Sequence, residues 1–470
     1  MNLYWVRSDF RVADNYALNE ILKQEEKNKA LFIYNEKKFS SKNAQRWWLS
    51  KTLIQFEKKL KLLKIDLDIL IGDEFEILDK YVISNKIKNI FFNKIFEPKE
   101  TNLEERLKQN FKNIKIYVGK SNLLQNPFSI KKKDGTSFQV FTPFWKNAEI
   151  YYLNNNVIKN YPKKKTNQKI DISSKNKKII EKNILPKGKW YHKFEEYWKP
   201  GEDEAFKIIE NFFTARIEKY AHNRDLPSID GTSKLSPYLT FGEITAENIY
   251  SYFNNINRKN INHRKYINEI GWREFSHHLL NHYPKIENSN LRKQFDNFNW
   301  SNNKDHIKKW KNGQTGYPIV DAGMIQLYET GWMHNRIRMI TASFLVKHLR
   351  IHWKEGESFF RDCLLDFNVA NNVSGWQWVA GCGADAAPYF RIFNPILQGE
   401  KFDSQGEYIK KWIPSLKSVP KKYIHKPWEL DSDTAKKINF DIERDYFKPI
   451  VDHKTARDQA LSAFKKLKSK

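Results

Sequence analysis

Over residues 1–120 the hydrophobic positions fall in short, β-rich runs: LYWVR at 3–7, ALFIY at 30–34, IDLDILI at 65–71, NIFF beginning at Asn89, and IKIYV at 114–118. Longer stretches of helical period lie between them, as in AQRWWLSKTLIQFEKKLKLL at 44–63. Strands alternating with helices predict a Rossmann-like parallel sheet in an α/β domain. From about 150 to 200 the pattern dissolves into a Lys- and Asn-rich stretch broken by Pro162 and Pro186, which reads as a surface connector. Beyond it helical periods dominate, in EDEAFKIIENFFTARIEKYAHN, KYINEIGWREFSHHLL, IVDAGMIQLYETG and NRIRMITASFLVKHLRIHW, and predict an all-α domain. The expected division is 1–130 α/β, 131–200 interdomain linker and 201–470 helical.

Composition narrows the classes. A chain of 470 residues that is 40% hydrophobic has material for two or three cores. No run reaches the roughly 18 apolar residues of a membrane span, and MNLYWVRSDF is no secretory signal, so a cytoplasmic protein is expected. Cys363 and Cys382 are too few for a disulfide framework or a four-cysteine metal site, and no metal is expected. Lys and Arg number 82 against 55 Asp and Glu, a formal charge of +27 that attracts polyanions, nucleic acid first among them. Heavy Lys, Asn and Ile usage also follows from an AT-rich genome, so charge alone does not decide.

Three apparent motifs fail. Gly119-Lys120-Ser121 has Ile114 where a phosphate loop requires glycine. His278 and His282 stand one helical turn apart without the glutamate of a zinc protease, and read as a capping or solvated pair. Gly381-Cys382-Gly383 lacks a third glycine and follows no strand, so it reads as a turn.

The densest chemistry runs from Gly331 to Gln398. On a continuous helix Trp332, Asn335, Arg338 and Met339 share one face, joining indole, amide, guanidinium and thioether groups where a plain core stripe would be apolar. GTSKLSPYLTFGEI, NEIGWREF, TGYPIVDAGM, TGWMHNRIRM and WQWVAGCGADAAPYFRIFNP, with WVRSDFRVADNYAL near the start, resemble the photolyase/cryptochrome family, nearest the class I photolyases that act on cyclobutane pyrimidine dimers. The resemblance spans essentially the whole chain.

That resemblance implies the photolyase-homology fold, with a U-shaped FAD in the helical domain. Thr232, Ser233, Lys234, Leu235 and Ser236 would seat its pyrophosphate, hydroxyls and N–H groups before a helix suiting phosphate; Tyr220 and Tyr266 would line the same cofactor. Arg338 and Asp366 carry over as an ion pair beside the isoalloxazine, Asn372 as the residue facing its N5, and Asn368 stands where relatives usually have a second carboxylate. Trp376, Trp353 and Trp300 match the family's electron-relay triad. In the substrate pocket, Trp272 and Trp378 would flank a flipped-out dimer, Glu269 and Asn335 would hydrogen-bond the pyrimidine edges, and Met339 would complete the floor. Arg273, Arg336 and Gln398 fall where relatives contact the strand. Histidines replace Asn335 and Met339 in photolyases of the (6-4) lesion, which favours the cyclobutane substrate here.

An antenna pigment, methenyltetrahydrofolate or a deazaflavin, is expected at the domain interface; Glu100 of FEPKE aligns with a folate-contacting glutamate, although its default reading is a surface carboxylate. The partner implied is UV-damaged DNA, with nucleoid association when bound and no obligate protein partner for a monomer. The alternative is a cryptochrome-type blue-light photoreceptor, in which the same flavin signals without repair.

Overall fold

A computed structural model describes residues 1–40, 43–153, 170–253, 260–386 and 391–468. Pro162 of the expected connector and Pro388-Tyr389-Phe390 of the APYFR motif lie outside the described residues.

The apolar runs near the start form five strands: β1 Asn2–Val6, β2 Asn28–Tyr34, β3 Asp66–Ile71, β4 Asn89–Asn93 and β5 Lys115–Gly119. All neighbours are parallel and the order is β3-β2-β1-β4-β5. Alternation of side chains splits each strand between two cores. Leu3, Trp5, Leu31, Ile33, Ile90 and Phe92 point to a small core under the Glu74–Ser84 and Pro98–Asn110 helices, which supply Leu78 and Leu107. Tyr4, Val6, Ala30, Phe32, Tyr34 and Phe91 point the other way, into a core continuous with the helical part. Strand order reverses between β1 and β4, and such a reversal opens a crevice at the carboxyl ends of the strands.

The helices are cut by local chemistry. Asn43 caps Ala44–Leu62 through the Gln45 N–H, Asn260 caps Ile261–His282 through Asn262, and Gly331 ends Pro318–Thr330 in a left-handed conformation at φ 66°. Among the described residues no helix is long and apolar enough to cross a membrane.

The expected surface connector contributes to both halves. The Phe141–Leu153 helix buries Phe144 and Trp145, the latter directly over Gly271, where a Cβ would approach its ring to 2.6 Å. Asn176 is buried and donates to Glu57 and to the Leu67 carbonyl, while Arg46 donates to the Ile184 carbonyl. Polar and lysine-rich flanks hide these buried positions from a composition-based reading.

Hydrogen bonds fasten the sheet to the helices. Phe10 N–H donates to the Phe241 carbonyl, the Arg11 guanidinium donates to the Gly242 carbonyl at 3.0 Å, and the Glu202 carboxylate accepts from the Val12 and Ala13 N–H groups.

Candidate active site

The 232–236 loop is set by a close approach. A Cβ on Gly231 would come within 2.6 Å of the Asn223 carbonyl oxygen, so glycine alone lets the chain pass. Lys234 takes a left-handed φ of 54° and pairs outward with Asp230. The Thr232 carbonyl accepts from Arg216 at 3.3 Å, Ser233 Oγ accepts from the Tyr266 hydroxyl at 2.9 Å, and Leu235 is buried as the residue before the short Ser236–Thr240 helix. Tyr220 packs edge-on against Tyr266. Burial, then the charge of Glu269, pushes the Tyr220 phenol well above its ordinary value, so this ring is neutral.

Ser236 links the loop to the acid. Its hydroxyl donates to Asp366 Oδ2 at 2.6 Å and receives Trp332 Nε1 at 3.3 Å. The same Oδ2 accepts from Arg338 Nη2 at 2.7 Å, and Arg338 Nε is held by the Met333 carbonyl. Asp366 Oδ1 is buried without a partner among the described residues. Asn368 caps the Val369–Ala380 helix, its Oδ1 accepting from Asn371 N–H, so the amide keeps the capping function a carboxylate would serve and gives up the charge. Asn372 Nδ2 donates to the Glu357 carbonyl and carboxylate, which fixes the orientation of its amide.

These residues fit a flavin nucleotide. An orphaned buried carboxylate oxygen calls for a donor, Ser374 Oγ is likewise buried and unpartnered, and a Cβ on Gly375 would meet nothing within 4 Å. Hydroxyls, a guanidinium and an open helix face together match a polar ring system bearing phosphates.

Three of the candidate substrate residues, Glu269, Arg336 and Met339, are tied together through the adjacent Arg224 and Asp225. Glu269 on Ile261–His282 is ion-paired to Arg224. The next residue, Asp225, accepts from Arg336 at 2.8 Å, and Arg336 also reaches Met339 Sδ and lies 4.3 Å over the Phe402 ring. Burial opposes the charge of Arg224, but the Glu269 carboxylate outweighs it and raises its pKa. Asn335 is exposed at the start of its helix, Trp378 is half-buried, and Gln398 is half-buried on Pro395–Phe402. Trp272 stacks on Phe141 with centroids 3.9 Å apart.

Trp376 rests on Gly356, where a Cβ would come within 2.0 Å of its ring, and Gly356 lies one turn after Trp353 on Trp353–Cys363. Trp353 is fully buried and donates to Asn290 Oδ1 at 2.7 Å. The His352 ring lies between Trp353 and the half-buried Trp300, at 5.5 and 5.0 Å.

Four expectations change. Trp332 is not on the helix of Asn335, Arg338 and Met339: His334 caps that helix through Arg336 N–H, and Trp332 reaches the cluster from the preceding turn. Arg273 does not face outward to a strand. It is half-buried, donates to the Asn122 carbonyl and Glu274, and lines a cleft of about 190 Å³ running from Arg338 and Asp366 to Ser8, Lys94 and Glu97 at the sheet crevice. Glu100 is no free surface carboxylate. It pairs with Arg7 and Lys38, and although burial opposes its charge, those two cations hold the carboxyl down to about 2. His278 is neither a cap nor solvated, being fully buried, taking the Phe138 N–H and facing the Pro127 carbonyl. Sequence reasoning missed Arg224 and Asp225; the signal was a charged pair in AHNRD directly after Tyr220.

A parallel-sheet lobe whose crevice opens toward a helical lobe, with a hydroxyl-rich turn bound to an acid–guanidinium pair, defines a two-lobed flavoprotein of photolyase-homology fold. Residues 2–163 match the DNA photolyase family, and residues 266–466 match the FAD binding domain of DNA photolyase. A deoxyribodipyrimidine photo-lyase of Agrobacterium fabrum is 38% identical over 99% of this chain and 98% of its own. Cryptochrome-2 of Arabidopsis thaliana is 31% identical over 98% of this chain and 78% of its own. The crystal structure of a bacterial class III photolyase from Agrobacterium tumefaciens superposes with a TM-score of 0.91 at 37% identity, covering 100% of this chain and 98% of that one. The chain belongs to the photolyase/cryptochrome family.

Proposed function

We propose that this protein is a deoxyribodipyrimidine photo-lyase: it repairs cyclobutane pyrimidine dimers in DNA, using light. The observation that carries the reading is full-length similarity to a photo-lyase, 38% over 99% of the chain, in a molecule whose nucleotide cradle keeps a buried, unpartnered Asp366 oxygen. Thr232, Ser233 and Ser236 would hold the phosphates of FAD, Tyr220 and Tyr266 its flank, and Arg338, Asp366, Asn368 and Asn372 the ring. Bound and reduced, FAD supplies a photoexcited electron that is lent to the cyclobutane ring and returned after the ring opens.

The chain's own groups do the rest. Arg338, oriented by Asp366 and the Met333 carbonyl, would bring guanidinium N–H donors to the cradle, which favours electron density on the ring. Glu269, held by Arg224, and Asn335 offer polar edges to the flipped pyrimidines, while Trp272 and Trp378 supply apolar walls. Trp272 is already backed by Phe141, so its ring is positioned before the lesion arrives. Arg336, tied to Asp225, and Gln398 stand at the rim for strand contact. Trp376, Trp353 and Trp300 relay electrons inward. Glu100 is already paired with Arg7 and Lys38; an antenna pigment, folate or deazaflavin, would sit between the two lobes and outside the flavin cradle. Cytoplasmic, monomeric operation on the nucleoid completes the proposal.

The test is binding. Flavin-loaded protein titrated with an oligonucleotide carrying one dimer, beside its undamaged twin, should prefer the lesion, with both affinities falling as salt rises. Equal affinity for the two would overturn the reading in favour of a photoreceptor.

A further inference from the structure

We propose that the turn carrying Lys131, Lys132 and Lys133 holds the phosphate backbone of duplex DNA to one side of the flipped lesion; the proposal rests on the repair reading above. The turn stands on two buried feet, Ile130 at 3% and Phe138 at 5% exposure, while every residue from Lys131 to Thr136 is exposed. Between the feet the backbone is locked. Lys132 N–H donates to the Thr136 carbonyl at 2.9 Å and Gly135 N–H to the Lys132 carbonyl at 3.0 Å, with Gly135 at a left-handed φ of 80°. Asp134, the acid of the turn, is spent inside it: Oδ1 accepts from the Thr136 hydroxyl and N–H, and these bonds hold the carboxyl below its ordinary range. Among the described residues no ion pair engages Lys131, Lys132 or Lys133.

The turn is fixed to the helix that carries the candidate pocket. Ser137 Oγ and the Gln139 amide bond the Tyr283 hydroxyl at 2.6 and 2.8 Å, at the end of Ile261–His282, and four residues beyond Ser137 the Phe141 ring stacks on Trp272 near the middle of that helix. Burial and then, against the bond to the Pro127 carbonyl, the charge of Lys131 lower the His282 imidazole, which sets that ammonium beside the last helical turn. Ten residues separate Trp272 from His282, so the lysines lie ~15 Å along the helix from the indole wall. A DNA strand advances about 3.4 Å per base pair, and that offset matches roughly four or five pairs of flanking duplex.

Solvation alone accounts for most lysines of so basic a chain. It does not account for three adjacent cations without acidic partners, raised on a frame that is hydrogen-bonded at its tip and anchored at both feet. A frame ordered before binding leaves less freedom to lose when phosphates arrive. Lysine meets phosphate as a point charge and reads no base, so the turn adds the same affinity to damaged and intact duplex. Choice of the lesion stays with the pocket. Because the turn lies at one end of the pocket helix, it reaches only one of the two duplex arms that flank the lesion.

The experiment titrates flavin-loaded protein with fluorescent duplexes, with and without one thymine dimer, across a salt series. One variant combines Lys131→Gln, Lys132→Gln and Lys133→Gln. A control combines Lys86→Gln, Lys108→Gln and Lys112→Gln, exposed lysines on and beside the helices over the small core, and removes the same charge. The turn variant should bind both duplexes more weakly, flatten the slope of log affinity against log salt by about 2–3, and keep the parent's ratio of damaged to intact affinity. The control should keep the parent slope. With the dimer about two base pairs from one end or from the other, the turn should matter for one duplex and not for its mirror arrangement. An unchanged slope, a control that loses as much, a changed ratio, or equal losses at both ends overturns the inference. Equal affinity of the parent for damaged and intact duplex sinks the repair reading alone, since intact duplex still reports the lysine slope.

Discussion

Asp366→Asn removes the one charge that faces both the cradle and Arg338. Oδ2 now accepts from Ser236 at 2.6 Å and from Arg338 at 2.7 Å, with the acid side chain 3% exposed and the guanidinium 25% exposed. Breaking a fully buried pair costs about 3–5 kcal/mol. Arg338 keeps its bond to the Met333 carbonyl and some solvent, so the cost here is reduced to about 2 kcal/mol. The unpartnered Oδ1 gives a separate effect on the cofactor. A hydrogen bond to a charged acceptor contributes about 1.5–3 kcal/mol, so the variant should bind FAD roughly 10- to 150-fold more weakly. Thermal unfolding of the apoprotein reads the first quantity, and titration of apoprotein with FAD reads the second. Unchanged FAD affinity would show that Oδ1 faces no cofactor group and would refute the cradle assignment.

Glu269→Ala is expected to lower repair per absorbed photon while flavin content stays at the parent level; an unchanged yield removes Glu269 from the pocket chemistry. Trp353→Phe should abolish photoreduction by the Trp376 arm and spare repair by chemically reduced protein, measured by flavin absorbance and product release respectively. Gly356→Ala should displace Trp376, since the added carbon would overlap its ring at 2.0 Å, and quantum yield of photoreduction falls with the displacement. Burial pushes the Glu243 carboxyl up to about 8, against the opposing bonds from Thr52 and Trp48. A raised folded-state value means stability is lost as pH climbs from about 4.5 through about 8, so Glu243→Gln should flatten the fall in melting temperature across that window.

Much of this was legible in the chain because it depends on short-range pattern. The five runs that begin at Leu3, Ala30, Ile65, Asn89 and Ile114 became the five strands, displaced by no more than one residue at any end except β2's start, which moves by two. Strand identity follows from β-branched and aromatic clustering, whereas the ends follow from partners, as when Asn2 pairs with Asn28. The Arg338–Asp366 pair was legible only through resemblance, since 28 positions separate the two. What escaped was long-range. Nothing near Glu100 announces Arg7, and nothing near Arg273 announces the Asn122 carbonyl that holds it inside. Trp332 was misplaced for a local reason, because its periodicity with Arg338 is real but His334 caps the helix two residues later.

Repair itself is the decisive observation. Anaerobic, chemically reduced holoprotein is mixed with an oligonucleotide containing a single thymine dimer and illuminated with near-ultraviolet or blue light, and intact thymines are counted by chromatography. The account predicts thymine recovery that needs both light and bound flavin. Coloured protein that binds the lesion yet returns no thymine under illumination contradicts it.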